Sequence, residues 1–155
     1  ETFAFDFWIY SPSAHSIAGT EYIFGKWADG SSNEYIARHP GNRAIQWGVF
    51  VVGDTFVSVD SAVLSADAWH YVCVWHDATA NEVGIQIDDT APVTASTGAA
   101  KSAAGSSTFQ IGQFVGGGYL TADMDEFGFW QGKVLSTAQR TARYNAGAGN
   151  TPPFE

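Results

Sequence analysis

A single cysteine, Cys73, stands among 155 residues, and one thiol can close neither an internal disulfide nor a cysteine-based zinc site. It reads as a small core residue. It does not fix the compartment, because a domain with one large core needs no disulfide even when exported. Basic residues are scarce too. Seven Lys and Arg against sixteen Asp and Glu leave a formal charge of −9, a field that repels phosphate backbones and anionic lipid, so nucleic acid is not an expected partner. No apolar run approaches the roughly 20 residues of a membrane helix, so no membrane insertion is expected. No serine lies in a Gly-x-Ser-x-Gly turn, which removes the sequence signal of a nucleophile elbow.

What the chain has in plenty is aromatic surface. Six Trp, six Tyr and eleven Phe, within a 45% hydrophobic composition, exclude disorder, because such side chains can offset the entropy of ordering. The length suits one domain over residues 1–155, and no fixed-period repeat divides it. Glu1 to Tyr10 alternates like a strand rather than a secretory leader, and Pro152-Pro153 closes the chain. The whole therefore reads as a module or processed piece of a longer protein.

Period sets the elements. Phe3, Phe5, Phe7 and Ile9 share one face of a strand, and Ala4, Asp6, Trp8 and Tyr10 share the other. Tyr22 to Trp27 is a second strand, ended by the turn formers Ala28 to Asn33, and Tyr35 to Arg38 is a third. After His39-Pro40-Gly41-Asn42 come Ala44 to Val52 and Thr55 to Val59, joined by Gly53-Asp54, the signal of a two-residue type II′ hairpin. Trp69 to His76 is apolar or aromatic almost throughout, the pattern of a central strand covered on both faces. Asp77 to Asn81 turns it into Val83 to Asp88, whose alternation implies half burial. Thr94 to Thr108 lacks large apolar residues and reads as a loop. Phe109 to Gly112 and Tyr119 to Trp130 are the last strands, separated by Gly116-Gly117-Gly118. Ser136 with Gln139 is a capping box for a short helix over Thr137 to Tyr144, stopped by Asn145-Ala146-Gly147. About ten short strands and one short C-terminal helix predict an all-β, two-sheet antiparallel sandwich.

Four stretches, in this order, resemble one family. They are Phe5-Asp6-Phe7-Trp8-Ile9; Tyr22-Ile23-Phe24-Gly25-Lys26-Trp27; Ala68-Trp69-His70-Tyr71-Val72 through Ile85-Gln86-Ile87-Asp88; and Met124-Asp125-Glu126-Phe127-Gly128-Phe129-Trp130 with Leu135-Ser136 and Tyr144-Asn145-Ala146-Gly147. Together they resemble the concanavalin A-like, laminin G-like jelly-roll domains. The chain departs from that pattern at Asp88-Asp89, where the family turns with Asp-Gly. The resemblance implies a jelly roll that serves in glycan binding, in adhesion, in virion or bacterial surface proteins, or, in one branch, in glycoside hydrolysis. Fold alone does not choose among these.

Hydrolysis needs two carboxylates across a glycosidic bond, and the hydrolase branch sets them as Glu, Asp, Glu at alternate strand positions. Here only Asp123 and Asp125 share a face, and Phe127 follows where an acid would stand, so no enzyme is expected. His70 and His76 share a strand face but lie about 20 Å apart, too far to ligate one metal ion. Asp123 to Gly128 imitates the start of an EF-hand loop and fails at Phe127 and Val134. The resemblance implies instead that Asp125, on the last long strand, helps hold one structural calcium at the sheet edge. The alternative is a structural acid bound to backbone or paired with Arg140 or Arg143.

A sugar site needs an aromatic away from the core with polar companions. Trp8 and Tyr10 lie opposite the phenylalanine face and share theirs with Asp6, and Tyr71 and Trp75 share a face of the central strand. These five residues are the candidate ligand-binding set, with Tyr35, Trp47 and Tyr119 as possible loop contacts. If the chain termini or the helix after Ser136 cover Trp8, that face is core instead. The expected function is a non-catalytic binding or adhesion module for glycans or a surface receptor, extracellular or on a cell or virion surface. The competing reading is a structural or assembly domain, such as a phage decoration or fibre domain or a surface-protein spacer, with no small ligand.

Overall fold

The alternation of the first strand puts its two faces into two different cores. In the computed structural model, which describes residues 1–27, 33–99, 105–114 and 117–149, β1 (Phe3–Tyr10) buries Phe3, Phe5, Phe7 and Ile9 between two sheets and Ala4, Asp6 and Trp8 behind them. The other elements are β2 (Thr20–Lys26), β3 (Tyr35–Pro40), β4 (Gln46–Val51), β5 (Thr55–Asp60), β6 (Trp69–Asp77), β7 (Glu82–Ile87), β8 (Val93–Ser96), β9 (Phe109–Ile111), β10 (Asp123–Gln131) and α1 (Thr137–Tyr144), with a 3-10 turn over Asn145–Gly147. The expected turn over 28–32, residues 100–104 of the expected loop, Gly116 and Pro152-Pro153 lie outside the described residues.

The strands form two five-stranded antiparallel sheets, β10-β1-β6-β7-β8 and β5-β4-β3-β2-β9, which is the expected jelly-roll sandwich. β6 is the middle strand of its sheet, as its unbroken apolar run requires. Between the sheets Phe5, Phe7, Phe24 and Trp47 meet Val72, Val74, Val83 and Ile85. Each such side chain contributes roughly 1.5 to 3 kcal/mol by leaving water. Trp47 is fully buried in β4 rather than in a loop, and its indole donates to the Trp75 carbonyl across the sandwich at 2.9 Å. Tyr35 opens β3 and joins the same aromatic cluster, whereas Tyr119 is exposed.

Four local expectations need correction. Val51 pairs with Thr55, so the β4–β5 loop has three residues, and Gly53 and Asp54 both take positive φ (92° and 59°) in place of a two-residue type II′ turn. Thr94, Ala95 and Ser96 are not loop; they pair with β7 as an edge strand, which needs only backbone groups on a sheet edge and leaves no apolar period to read. The last strand begins at Asp123 rather than Tyr119. Val83 to Gln86 are buried on both faces because α1 and Trp75 cover the side that alternation assigns to water.

The helix forms as its ends prescribe. Ser136 Oγ accepts from the Gln139 amide at 3.3 Å, the Gln139 side chain accepts from the Ser136 amide at 2.9 Å, and Asn145 takes the left-handed conformation at the C-terminus. Eight residues without Leu, Ile or Val do not hold a helix in water. What holds it is the surface beneath.

One buried group gives the fold a pH dependence. His39 in β3 is fully buried, its Nδ1–H donating to the Ala44 carbonyl at 2.8 Å, and burial pushes its pKa below the ordinary 6.5 despite that bond and nearby Glu21. The unfolded chain binds the proton more readily, so this contribution to stability is whole above about pH 6.5 and is lost as pH falls toward the folded value. Melting temperatures measured from pH 7.5 down to 5 should fall, and His39→Gln should flatten that slope. Parallel slopes in the two proteins would refute the assignment.

Candidate functional site

The outer face of the β10-β1-β6-β7-β8 sheet carries an acid in an aromatic carpet. Asp6, with no exposed surface, accepts hydrogen bonds from the Tyr71 hydroxyl at 2.9 Å and the Trp130 indole at 2.8 Å, and it pairs with the Arg143 guanidinium of α1. Gly128 lies opposite Asp6 on β10, where a Cβ would overlap the carboxylate. Burial, with the Cys73 thiol and Asp6 adding to it, holds the Tyr71 hydroxyl above the usual phenol range, so it stays a neutral donor. Burial also pushes the Cys73 thiol up to about 12, which leaves it an unreactive core group. Arg140 lies over the Trp75 ring, 4.9 Å from its centroid, and donates to Gln86 and to the Leu135 carbonyl.

This corrects the expected site. Asp6, Trp8, Tyr71 and Trp75 are 0, 6, 1 and 4% exposed, and the face offered for a sugar is the dock of the chain's own helix. The alternative that α1 covers Trp8 is the one observed: the Trp8 ring stacks on Tyr144 at 6.0 Å. Arg140 and Arg143, weighed as partners of Asp125, hold Gln86 and Asp6 instead. The sequence carried the signal in two arginines three apart on an otherwise polar helix and one acid on an aromatic strand face.

At the end of this sheet, where β1 stops and β6 and β10 begin, an open cleft of about 190 Å³ remains, lined by Trp8, Trp69, Asp125, Glu126, Gly147, Ala148 and Gly149. A bulge builds it. Asp6 pairs with Gly128 and Trp8 with Asp125, so Glu126 and Phe127 together face Phe7. Glu126 takes φ 49°, a left-handed conformation uncommon for a non-glycine residue, and bulges re-aim side chains in this way. A Cβ placed on Gly149 would lie 3.3 Å from Glu126 Oε1 and 3.4 Å from Trp8 Nε1, so the carboxylate, the indole edge and this glycine converge. Trp8 Nε1 is buried without a hydrogen-bond partner among the described residues. Asp125 is exposed, its Oδ1 accepting from the Glu126 amide at 2.7 Å. Trp69 is 45% exposed, and half-buried Tyr10 lies against it at 5.6 Å.

The cleft thus unites Trp8 and Asp125 from the expected set with Trp69, Glu126 and the 147–149 backbone, which sequence reasoning missed. Trp69 reads as core in an apolar strand, and a bulge leaves no mark in hydrophobic period. Both acids come from consecutive residues of one strand, not from two sides of a sugar as hydrolysis requires. Calcium takes six to eight oxygens. Asp125 and Glu126 offer two carboxylates, and no group of three His, Cys, Asp or Glu able to share an ion occurs among the described residues. These side chains alone fall short of a calcium cage.

His70 and His76 are both hydrogen-bonded. His76 Nδ1–H donates to the Glu1 carbonyl at 2.7 Å. His70 joins Ser65 Oγ through Nε2 and Asp88 Oδ2 through Nδ1, each at 2.8 Å, beside a second cavity of about 270 Å³. That connectivity is a triad's, but the other oxygen of Asp88 accepts from the Tyr71 amide at 2.8 Å. The chain of bonds ties the 61–65 segment to the turn after β7. In that turn Asp88 takes positive φ (52°), and Asp89 accepts from Thr141 of α1 at 2.7 Å, so both aspartates have structural work where the family has Asp-Gly.

With fold and cleft in view, comparison with known proteins is decisive on family. A profile of the concanavalin A-like lectin/glucanases superfamily matches residues 1–139. The chain belongs to that superfamily. Curated proteins yield no match. Among solved structures, this concanavalin A-like domain is similar to the receptor binding domain of a botulinum neurotoxin C/D mosaic serotype (TM-score 0.74, 12% identity, 94% of this chain and 36% of that one). It is similar to the Ruminococcus gnavus IT-sialidase CBM40 bound to α2,3 sialyllactose (0.69, 12%, 92% and 82%). It is also similar to a heptameric SAP-like pentraxin from Limulus polyphemus (0.63, 19%, 90% and 68%). The domain spans 36 to 38% of the length of the first neurotoxin structures it matches. At these identities the likeness establishes the fold alone.

The buried face generates a stability prediction. Trp8→Ala should cost about 3 to 5 kcal/mol in urea denaturation, comparable with Phe7→Ala, because both leave cavities. Arg143→Ala should cost a similar about 3 to 5 kcal/mol, since it strands the Asp6 carboxylate. A Trp8→Ala loss below about 1 kcal/mol would show that this face is not core.

Proposed function

We propose that this concanavalin A-like domain is a non-catalytic glycan-binding module whose ligand enters the cleft of Trp8, Trp69, Asp125 and Glu126. The observation that carries the reading is an exposed indole, Trp69, beside two carboxylates in one cleft. An apolar ring face with a few converging polar groups is what a pyranose needs. The sialyllactose-bound R. gnavus domain and the neurotoxin receptor binding domains support a glycan or receptor as the kind of partner. We place the module in an extracellular, cell-surface or virion-surface protein. Trp69→Ala should leave the melting curve nearly unchanged and abolish the wild-type signal on a glycan array.

The assembly reading is favoured by a different surface. Phe109, Ile111 and Phe129 are 38, 49 and 53% exposed on β9 and β10, beside an apolar groove formed with Phe5, Tyr35 and Phe127. A silent array together with concentration-dependent self-association, removed by Phe129→Ser, would transfer the function to that surface.

Two further outcomes follow from the chemistry of the cleft. Polysaccharides should release no reducing ends, and short-chain nitrophenyl esters should not be cleaved. Turnover abolished by Asp125→Asn or by Ser65→Ala would make the domain an enzyme. Calcium at Asp125 remains a proposal of the family resemblance. A bound ion would raise the melting temperature by mass action, and the two-carboxylate donor set predicts no rise at micromolar calcium. A calcium-dependent rise lost in Asp125→Asn would establish the ion.

A further inference from the structure

We propose a second binding site, independent of the glycan cleft, in the cavity beside His70, and its ligand is a neutral apolar molecule that carries a hydroxyl. The cavity, of about 270 Å³, opens where the 61–65 segment, the end of β7 and the start of β8 meet. Its floor belongs to the core. Leu64 and Ile85 are 6 and 1% exposed, and half-buried Ile87 packs against the same cluster. Its rim is apolar as well, because Val63 and Val93 are 63 and 46% exposed. An apolar cavity of about 150 Å³ suffices for benzene, so this space takes an aromatic ring with a short chain. Such an occupant extends the sandwich core outward and takes both valines out of water.

The polar groups of the lining decide what the molecule must carry. A carboxylate can only accept, so His70 Nδ1–H donates to Asp88, and the neutral imidazole takes the Ser65 hydroxyl hydrogen at Nε2, both at 2.8 Å. Thr90 Oγ1–H donates to the Ile87 carbonyl and Ser61 Oγ–H to the Ala62 carbonyl, each at 2.7 Å. Every side-chain hydrogen of the lining that can form a hydrogen bond is therefore spent inside the protein. What stays on offer is lone pairs, on exposed Ser65 and Thr90 and on the Asp88 carboxylate. A ligand O–H meets this set, and its bond to Ser65 Oγ continues the relay through His70 to Asp88, where each bond polarises the next. An ether of the same shape sets oxygen against oxygen. A carboxylate does so with charge, facing Asp88 in a lining that has no Lys or Arg among the described residues. An ammonium can donate too, but burying its charge among Leu64, Ile85 and Val93 carries a cost that a hydroxyl avoids.

Isothermal titration at about pH 8.5, where free imidazole is neutral, tests this with three probes of similar shape: para-propylphenol, its methyl ether para-propylanisole, and para-propylbenzoate. The phenol should bind roughly tenfold more tightly than the ether, and the benzoate should not bind. Of the four histidines, His70 alone should shift its ring resonances when the phenol is added. Ser65→Ala removes the acceptor and should bring phenol and ether to within about twofold of each other. Ala91→Phe, at an exposed position of the lining, should fill the cavity and remove phenol binding, whereas Trp69→Ala should leave that binding unchanged. Melting curves establish that each variant is folded, and the three-probe comparison on the wild type stands without them. Equal affinity for phenol and ether, binding of the benzoate, or a preference that persists in Ser65→Ala would overturn the hydroxyl assignment. Phenol binding that leaves the His70 ring unshifted or survives Ala91→Phe would overturn the site. Silence from all three probes would end the proposal, and none of these outcomes bears on the glycan cleft.

Discussion

The ion pair between Asp6 and Arg143 joins residues 137 positions apart and sits where almost no solvent reaches either partner. Removing two charges from water costs several kcal/mol per ion unless every lone pair and proton is met. Here the carboxylate also receives a phenol and an indole, and the guanidinium lies over Trp130 at 5.1 Å. The pair registers α1 against the centre of one sheet. Leu135, Tyr144 and the Arg140–Trp75 stack then close a second core that neither the sheet nor the helix could form alone.

What stays open on the outer face of this sheet follows from that dock. With α1 seated, the middle of the outer face is sealed, and among the described residues a cleft remains at its end, lined by Gly147 to Gly149 together with Trp8 and Trp69. The helix therefore covers the aromatic carpet and also sets one wall of the cleft that survives. The cleft and the second core share one residue, Trp8, whose ring stacks on Tyr144 while its buried Nε1 lies next to Gly149.

The architecture was legible because period and punctuation acted locally. The Phe3 to Ile9 alternation, the apolar run from Trp69 to His76, and the Ser136–Gln139 box each specify an element without reference to distant residues. The site was not legible, because its determinants are relations between elements. Asp6 reads as an exposed companion of Trp8 until Arg143 is known to reach it. Gln86 reads as the polar side of β7 until Arg140 covers it. β8 has no apolar period because its backbone pairs only with a sheet edge. The departure at Asp88-Asp89 was visible, but its purpose emerges only once Tyr71, His70 and Thr141 are seen around it.

The bulge in β10 gives the strand two independent allegiances. In a regular strand, neighbours on opposite faces are geometrically tied, so altering one position disturbs the lean of the next. Here Phe127 stacks on Phe7 at 6.0 Å inside the sandwich, while Glu126, one residue earlier, is swung out toward Gly149 by its left-handed backbone. A single extra residue uncouples the part of the strand that must fit a core from the part that faces outward. Position 126 is thereby a place where this scaffold can exchange one outward-facing side chain for another while its interior goes on packing as before.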